Sequence, residues 1–268
     1  MMNPSLLELN ARVFLKELRQ ARGASFSLAD VPREEWKKRR DTGFDMVWLM
    51  GVWKESPLAR RLSLTNPHLK KTFDALRPGW TKQDAVGSPF AVYSYTLDPD
   101  LGGANTLASL KSVLNAHGLK LIVDFVPNHL ALDNPWIKSH PSWFVQGTRE
   151  DAFHQPDLFY TLDGKNVFAH GKDPYFSPWM DTVQLNYASG PLRAALGKEL
   201  EKIASVADGV RCDMAMLVLN VTFQKTWGDI LEKTGASMPP EEFWPAAIGK
   251  VKQKNPDFVF IAEVYWGM

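Results

Sequence analysis

The chain contains one cysteine, Cys212, among its 268 residues, so an internal disulfide is impossible. It also lacks any apolar run of the roughly 20 residues that a membrane-spanning helix needs. Residues 1–8 show no basic segment leading into an apolar stretch with a cleavage site, which is the pattern of a secretory signal. These absences predict a soluble protein without membrane partners and favour the reducing cytoplasm as its location.

An excess of either charge is also absent. The 31 Lys and Arg residues balance 30 Asp and Glu residues, leaving a net charge of +1, and there is no basic patch of the kind that binds nucleic acid. The sequence has no HxH or HExxH spacing, which disfavours a metal hydrolase. It also has no GxGxxG after a strand, which disfavours a dinucleotide-binding fold. It does have ten tryptophans, which indicate a large core or stacking on flat ligands such as sugar rings.

Short apolar runs alternate with amphipathic segments along the chain, a pattern typical of parallel strands joined by crossover helices. The predicted strands are 8–15, 44–50, 119–126, 208–214 and 257–264. The predicted helices are 32–42, a segment around 107–114, another around 192–203, 220–234 and 241–254. Gly43 and Gly118 are placed to end two of these helices.

Two connections are unusually long, about fifty residues after the second strand and about sixty after the third. The latter is rich in aromatic residues and proline, and it predicts a lid subdomain inserted after strand 3. A (β/α)8 TIM-type barrel builds its active site from such loops. We therefore expect an α/β fold of this type that stops after the fifth strand. Residues 1–129 and 191–268 would form the partial barrel and residues 130–190 the lid.

Charged side chains follow three of the predicted strands. Asp124 lies in the third, Arg211 and Asp213 close the fourth, and Glu263 closes the fifth. A carboxylate buried at a strand end costs free energy unless it is paired or used. One interpretation is a structural ion-pair network of Asp124, Arg211 and Asp213. The other is a catalytic pair in which Arg211 keeps Asp213 ionised while apolar neighbours raise the pKa of Glu263, as glycoside hydrolysis by two carboxylates requires.

The chain resembles the α-amylase family, glycoside hydrolase family 13, in the order and spacing of three signature regions. These regions are 124–129, 209–216 and 260–264. The resemblance implies that Asp213 is the nucleophile, Glu263 the general acid/base and Arg211 the residue that orients Asp213. It further implies that His129 and Asp124 bind the reacting sugar.

In the second βα loop, the same resemblance implies that Phe90 replaces a tyrosine that stacks under that sugar and that Tyr95 matches a second aromatic residue. Packing of Phe90 within the loop is an equally open interpretation. No cofactor is implied as essential, although Asn128 matches a position that ligates calcium in part of the family, which makes calcium possible. Met216 and Leu217 replace a Lys-His pair that binds the acceptor, so the acceptor stays open.

The family's fourth region contains a His-Asp pair, and no His-Asp dipeptide occurs in this chain. We expect either a piece of a longer protein or a half-barrel that another chain completes, with self-association through the open edges of the first and fifth strands. The predicted activity is retaining hydrolysis of α-glucosidic bonds in α-glucans or maltooligosaccharides. The alternatives are transglycosylation, of the trehalose synthase or amylosucrase type, and a non-catalytic domain that binds carbohydrate or another partner.

Overall fold

A five-stranded parallel sheet forms the centre of the computed structural model, which describes residues 3–161 and 164–267. Its strands follow one another in sequence order, with each hydrogen-bonded to the next along the chain. They are β1 (Leu6–Asn10), β2 (Met46–Met50), β5 (Lys120–Phe125), β11 (Gly209–Cys212) and β12 (Val259–Ala262). Sequential parallel neighbours joined by helical crossovers are the arrangement of a (β/α) barrel wall. The predicted fold class, a TIM-type barrel of five β/α units, is confirmed.

Helices and shorter strands connect and surround this sheet. The helices are α1 (Ala11–Arg22), α2 (Arg33–Asp41), α3 (Pro57–Thr65), α4 (Pro67–Leu76), α5 (Thr106–Ala116), α6 (Trp136–Ser139), α7 (Arg149–His154), α8 (Gly190–Val206), α9 (Asn220–Thr234) and α10 (Phe243–Lys254). The remaining strands are β3 (Trp53–Glu55), β4 (Val92–Leu97), β6 (His129–Ala131), β7 (Gln146–Gly147), β8 (Phe159–Thr161), β9 (Val167–Ala169) and β10 (Thr182–Gln184).

The core lies between the sheet and its crossover helices. Every residue of β5 except the first is buried, as expected for a strand covered on both faces. The apolar faces of α5 and α8 cover one side, with Leu110 and Leu196 among the buried contacts. Gly43 and Gly118 take φ values of +101° and +72°, a left-handed region that favours glycine, so α2 and α5 end where the sequence predicts.

The first predicted strand, 8–15, is wrong in its second half. Strand β1 ends at Asn10, and α1 begins at Ala11. The reason is a helix cap, since Asn10 Oδ1 accepts hydrogen bonds from the main-chain N–H groups of Arg12 and Val13 at 3.2 and 3.1 Å. Asparagine is a common residue at the start of a helix, and interpreting residues 8–15 as one apolar strand overlooked Asn10.

The connection after β2 also holds two helices that the sequence interpretation did not place. Both begin with a capping residue followed by proline, a frequent helix start. Ser56 Oγ accepts from the main-chain N–H of Ala59 at 2.8 Å to start α3. Asn66 Oδ1 accepts from the N–H of His68 at 2.9 Å to start α4.

The predicted lid segment, 130–190, is not structureless. It contains an antiparallel three-stranded sheet of order β7-β9-β8, and β10 pairs with β6 in a separate two-stranded sheet. Its division from the barrel at these boundaries stays a prediction, as does self-association through β1 and β12, which lie at the two edges of the central sheet. None of the helices in residues 3–161 and 164–267 combines the length and apolarity of a membrane span.

Candidate active site

The charged residues predicted from the sequence meet at the carboxyl edge of the central sheet. Arg211 in β11 is in register with Asp124 in β5, and Cys212 is in register with Ala262 in β12. Asp213 and Glu263 each follow directly after those strands. Parallel strands all end at the same edge, so the sheet brings these four side chains together.

Arg211 joins the two predicted catalytic carboxylates. Its Nη1 lies 2.5 Å from Asp213 Oδ1, and its Nη2 lies 2.7 Å from Glu263 Oε2. The guanidinium also lies over the rings of Trp48 and Phe90, 5.0 and 5.1 Å from their centroids. A planar guanidinium can serve both partners and both rings at once, which a lysine ammonium cannot do.

Asp213 is the more enclosed of the two carboxylates, with 7% of its side chain exposed against 18% for Glu263. Burial raises the pKa of Asp213 to about 7, although Arg211 acts to lower it. The sequence predicted the more apolar surroundings for Glu263, but the structure gives them to Asp213. Burial there opposes the ionised form of the predicted nucleophile. The main-chain N–H of Asp213 donates to Phe125 O at 2.8 Å and fixes its position beside β5.

Glu263 is surrounded by hydrogen-bond donors rather than by the apolar neighbours that the sequence suggested. Besides Arg211, its Oε2 accepts from the main-chain N–H of Met214 at 2.8 Å, and its Oε1 accepts from the Tyr265 hydroxyl at 2.6 Å. Met214 has φ of +45° and ψ of +44°, a left-handed conformation that is rare for a residue with a side chain. This turn aims the Met214 N–H at Glu263, so the loop after Asp213 also orients the second carboxylate.

Asp124 is held by neutral donors. Its Oδ1 accepts from Trp48 Nε1 at 3.0 Å and its Oδ2 from the main-chain N–H of Gly51 at 2.7 Å. Burial raises the pKa of Asp124 to about 6 against the lowering effects of the Gly51 N–H and of Arg211. Both side-chain oxygens are thus committed to the fold at the end of β2.

His129 lies in β6, where 3% of its surface is exposed. Burial lowers its pKa to about 3, so the imidazole is neutral at physiological pH. Its ring lies 4.9 Å from that of Trp179 in the segment before β10. A neutral histidine beside an aromatic ring can donate or accept one hydrogen bond to a sugar hydroxyl.

The two loop aromatics differ in position. Phe90 lies against Arg211 and so belongs to the cluster around the carboxylates. Tyr95 points elsewhere, because its hydroxyl both donates to Val126 O and accepts from Val126 N at 3.0 Å. Its ring stacks on Phe125, 5.7 Å away. The structure therefore gives Tyr95 a role in supporting the strand end, and its predicted contact with substrate has no support in these contacts.

The possible calcium position, Asn128, is engaged within the protein. Its Oδ1 accepts from Gln184 Nε2 at 3.0 Å, and its Nδ2 lies 3.3 Å from Gln184 Oε1. Within the described part of the chain, no three His, Cys, Asp or Glu side chains converge as a metal site would require. These residues do not fit a calcium ligand set as they stand, and calcium binding by this chain stays a prediction.

Known proteins resemble this chain in sequence and in fold. No family model matches the chain. Among curated proteins, an alpha-1,4-glucan:maltose-1-phosphate maltosyltransferase of Cereibacter sphaeroides is 26% identical over 233 residues, covering 84% of this chain and 31% of the relative. The corresponding protein of Bifidobacterium longum is 25% identical over 228 residues, covering 83% and 24%.

Solved structures agree on the fold. An α-amylase from Lactobacillus plantarum superposes with a TM-score of 0.62 at 20% identity, covering 97% of this chain and 45% of that one. A maltogenic α-amylase from Thermotoga neapolitana gives 0.56 at 19% identity, covering 98% and 46%. The chain is thus similar in sequence to maltosyltransferases and has the fold of α-amylases. It spans about a third or less of the length of the curated relatives named above.

Four contacts of this site were not foreseen from the sequence. They are the indole of Trp48, the main-chain N–H groups of Gly51 and Met214, and the hydroxyl of Tyr265. The contact of Tyr265 could have been predicted, because a tyrosine two residues after Glu263 can reach back and donate its hydroxyl to that carboxylate. The two main-chain donors had none, since any residue type carries an N–H and only the chain path aims it.

Proposed function

We propose that this chain contributes Asp213 and Glu263 to a retaining enzyme that acts on α-glucosidic bonds of α-glucans or maltooligosaccharides. The observation that carries the proposal is the shared guanidinium of Arg211, 2.5 Å from Asp213 and 2.7 Å from Glu263. The retaining mechanism needs its two carboxyl groups about 5 to 5.5 Å apart, closer than the inverting mechanism does. Two carboxyl groups that share one guanidinium suit the retaining mechanism better.

In the proposed reaction, protonated Glu263 gives its proton to the glycosidic oxygen while the Asp213 carboxylate attacks the anomeric carbon. The bond to the leaving sugar breaks, and a covalent glycosyl ester forms on Asp213. Glu263, now ionised, takes a proton from an incoming hydroxyl that attacks the same carbon and releases Asp213. His129 would contact the sugar, and Phe90 would lie under it. The predicted sugar contact of Asp124 is not part of this proposal, because Asp124 is fully buried and its two oxygens accept from Trp48 and Gly51.

Arg211 has a defined part in these steps. Because burial favours the neutral form of Asp213, the guanidinium is the group that supports its ionisation at the moment of attack. When the ester forms, the charge on Asp213 disappears and Glu263 becomes the ionised partner. One guanidinium bonded to both carboxyl groups can stabilise the charge on either.

The acceptor decides between hydrolysis and transfer. Water as the incoming hydroxyl gives a glycosidase, and a second glucan gives a transglycosylase. The named curated relatives are maltosyltransferases that carry an α-1,4-glucan and maltose 1-phosphate in their names, which favours transfer as the second candidate function. A non-catalytic carbohydrate-binding domain stays the alternative of another class.

Covalent labelling tests the proposal without requiring full turnover. A 5-fluoro-α-glucosyl fluoride should react with Asp213 and add one fluoroglucosyl group, detected by intact mass and peptide mapping. Asp213→Asn should not be labelled, whereas Glu263→Gln should be labelled slowly, because fluoride leaves without needing the acid. Labelling elsewhere, or none in the wild-type chain, would contradict the assignment of Asp213.

Product analysis separates the two reactions. Anomer-resolved NMR of products from maltopentaose should show retained α-configuration in both cases. Free reducing sugar would indicate hydrolysis, and longer oligosaccharides would indicate transfer. Adding maltose 1-phosphate as donor tests transfer directly, because a maltosyltransferase would release phosphate only as glucan chains lengthen.

A further inference from the structure

Three aromatic side chains connect the lid segment with Glu263. We call them the aromatic bridge: Tyr175, which lies between β9 and β10, and Tyr265 and Trp266, which follow β12. The ring centroid of Trp266 lies 4.7 Å from that of Tyr175 and 6.0 Å from that of Tyr265. Tyr265 in turn donates its hydroxyl to Glu263 Oε1 at 2.6 Å. Direct contacts therefore run from the lid segment to the predicted acid/base.

Core packing does not account for the aromatic bridge. Its three residues are between 39% and 57% exposed, whereas Trp36 and Trp227 are enclosed in the core. Exposed rings are held mainly by each other, and edge-to-face contacts are among the favourable arrangements. Tyr175 and Trp266 meet in this way, with an angle of 64° between their planes. Removal of one ring should therefore loosen the next while the core stays intact.

The lid end of the aromatic bridge is anchored at two points. Asp173 is buried, and its Oδ1 accepts from the main-chain N–H groups of Tyr175 and Phe176 at 2.7 and 2.9 Å. Lys225 of α9 places its Nζ 5.0 Å from the centroid of the Tyr175 ring and donates to the Tyr175 hydroxyl at 3.3 Å. The fold of the lid and helix α9 together set the position of Tyr175.

The end of the aromatic bridge near Glu263 has an unusual backbone. Trp266 has a φ of +59°, in the left-handed region that residues with a side chain seldom adopt. Such a conformation persists only where its surroundings hold it. The rings that contact Trp266 are those of Tyr175 and Tyr265. The place of Trp266 beside Tyr265 therefore depends on its contact with the lid.

We propose that Trp266 is a positioning residue that transmits the packing of the lid to Glu263. Its ring holds the hydroxyl of Tyr265 against Glu263 Oε1, and Tyr175 of the lid in turn holds the ring of Trp266. Displacement of the lid would free Tyr265, and the carboxyl group would lose one of its donors. The role of Glu263 as an acid rests on the proposed function, whereas the link from Tyr175 to its carboxyl group rests on the contacts alone.

The Tyr265 hydroxyl reports on this link without any need for turnover. Its hydrogen bond to Glu263 is the main reason that the pKa of Tyr265 is raised, and Asp213 acts in the same direction while Arg211 opposes it. The six tyrosines of the whole 268-residue chain can be labelled with ¹³C at Cζ and titrated by NMR at alkaline pH. Absence of one signal in Tyr265→Phe assigns the resonance.

Trp266→Ala should lower the pKa of Tyr265 toward its ordinary value, because the hydroxyl no longer stays against the carboxylate. Tyr175→Ala should act in the same direction, and Trp266→Phe, which keeps a ring, should restore the wild-type titration. The matched control is Phe153→Ala, which removes another exposed aromatic residue of the lid segment from outside the aromatic bridge. It should leave the Tyr265 signal unchanged.

The outcomes separate this proposal from the proposed function. An unchanged pKa of Tyr265 in Trp266→Ala, or an equal decrease in Phe153→Ala, would overturn the role of Trp266. A decrease in Trp266→Ala but not in Tyr175→Ala would overturn the connection to the lid. Failure of the proposed function would appear elsewhere, as absent labelling of Asp213, because the titration of Tyr265 involves no substrate.

Discussion

Asp124 and Asp213 lie on neighbouring strands of one sheet, and both are buried, yet the fold satisfies them in opposite ways. Asp124 accepts hydrogen bonds from two neutral donors, Trp48 and Gly51. Asp213 is paired with a cation, Arg211, that it shares with Glu263. Neutral hydrogen-bond donors suit a carboxylate whose role is constant. A shared cation suits a carboxylate whose charge changes during a reaction.

The comparison also explains why both groups have raised pKa values without being equivalent. Burial is the largest cause in each case, and it gives about 6 for Asp124 and about 7 for Asp213. Glu263 adds a repulsive charge only beside Asp213, which raises its pKa further. Asp124 is therefore held by neutral hydrogen-bond donors, whereas the ionised form of Asp213 depends on the Arg211 cation.

The strongest way to break this contrast is to remove the shared cation. Arg211→Met should lower the free energy of unfolding by about 3 to 5 kcal/mol, because the buried Asp213 and the partly buried Glu263 lose their counterion. Urea denaturation at pH 7.5 measures it. Arg211→Lys is the matched control. It should lose less stability, because lysine keeps the positive charge although it lacks the two guanidinium nitrogens that bond both carboxyl groups. A loss below about 1 kcal/mol in Arg211→Met would show that the pair is solvated rather than held.

A smaller loss of stability should follow from disturbing the two neutral hydrogen bonds to Asp124. Asp124→Asn places an NH₂ group against a buried donor, either the Trp48 indole or the Gly51 N–H. The expected cost is about 1 to 3 kcal/mol in the free energy of unfolding at pH 7.5, the cost of an unsatisfied buried donor. Asp257→Asn, at an exposed position before β12, is the matched control for loss of a carboxylate. An unchanged midpoint in Asp124→Asn would contradict the two hydrogen bonds.

The pH dependence sharpens the contrast further. The folded pKa of Asp213, about 7, lies above its unfolded value of 3.8, so the folded state binds more protons between those values. Its contribution to stability is present at low pH and is lost as pH rises toward 7. Asp213→Asn should therefore gain stability relative to wild type as pH rises from 5 to 7, by at most about 1.4 kcal/mol per pH unit.

The stability of the protein should depend on pH in the opposite direction at His129. Its folded pKa of about 3 lies below its unfolded value of 6.5, so wild-type stability is lost as pH falls below 6.5. His129→Gln should gain relative to wild type on acidification. The free energy of unfolding relative to wild type should therefore change with pH in opposite directions in Asp213→Asn and His129→Gln. A change in the same direction would contradict the burial of one of the two groups.

The smallest effect is expected at the rim. Tyr265 is 49% exposed, and its hydroxyl donates to Glu263. Tyr265→Phe should change the free energy of unfolding by no more than about 0.5 kcal/mol, as for most exposed substitutions. The ratio of its turnover rate on maltopentaose to that of the wild type should nevertheless fall below one, because Glu263 loses the hydroxyl that donates to Oε1. A ratio of one would remove Tyr265 from the site.

Much of the site could be predicted without coordinates. The apolar runs and their spacing predicted five parallel strands, and parallel strands must end at one edge, which brings Asp124, Arg211, Asp213 and Glu263 together. The start of α1 was missed although its signal was present, since Asn10 is a good capping residue before an apolar repeat. In that case a local hydrogen bond outweighed the apolar run.

The remaining features depend on where distant parts of the chain meet. The relative burial of Asp213 and Glu263 was the reverse of what their sequence neighbours suggested, because burial is set by distant segments such as β5, which lies beside Asp213, rather than by adjacent residues. The donors to Asp124 and Glu263 include the main-chain N–H groups of Gly51 and Met214, which every residue type except proline also carries. Residue types and their spacing specify which groups reach the sheet edge, but charge, burial and hydrogen bonding depend on three-dimensional neighbours, so only the tertiary structure decides them.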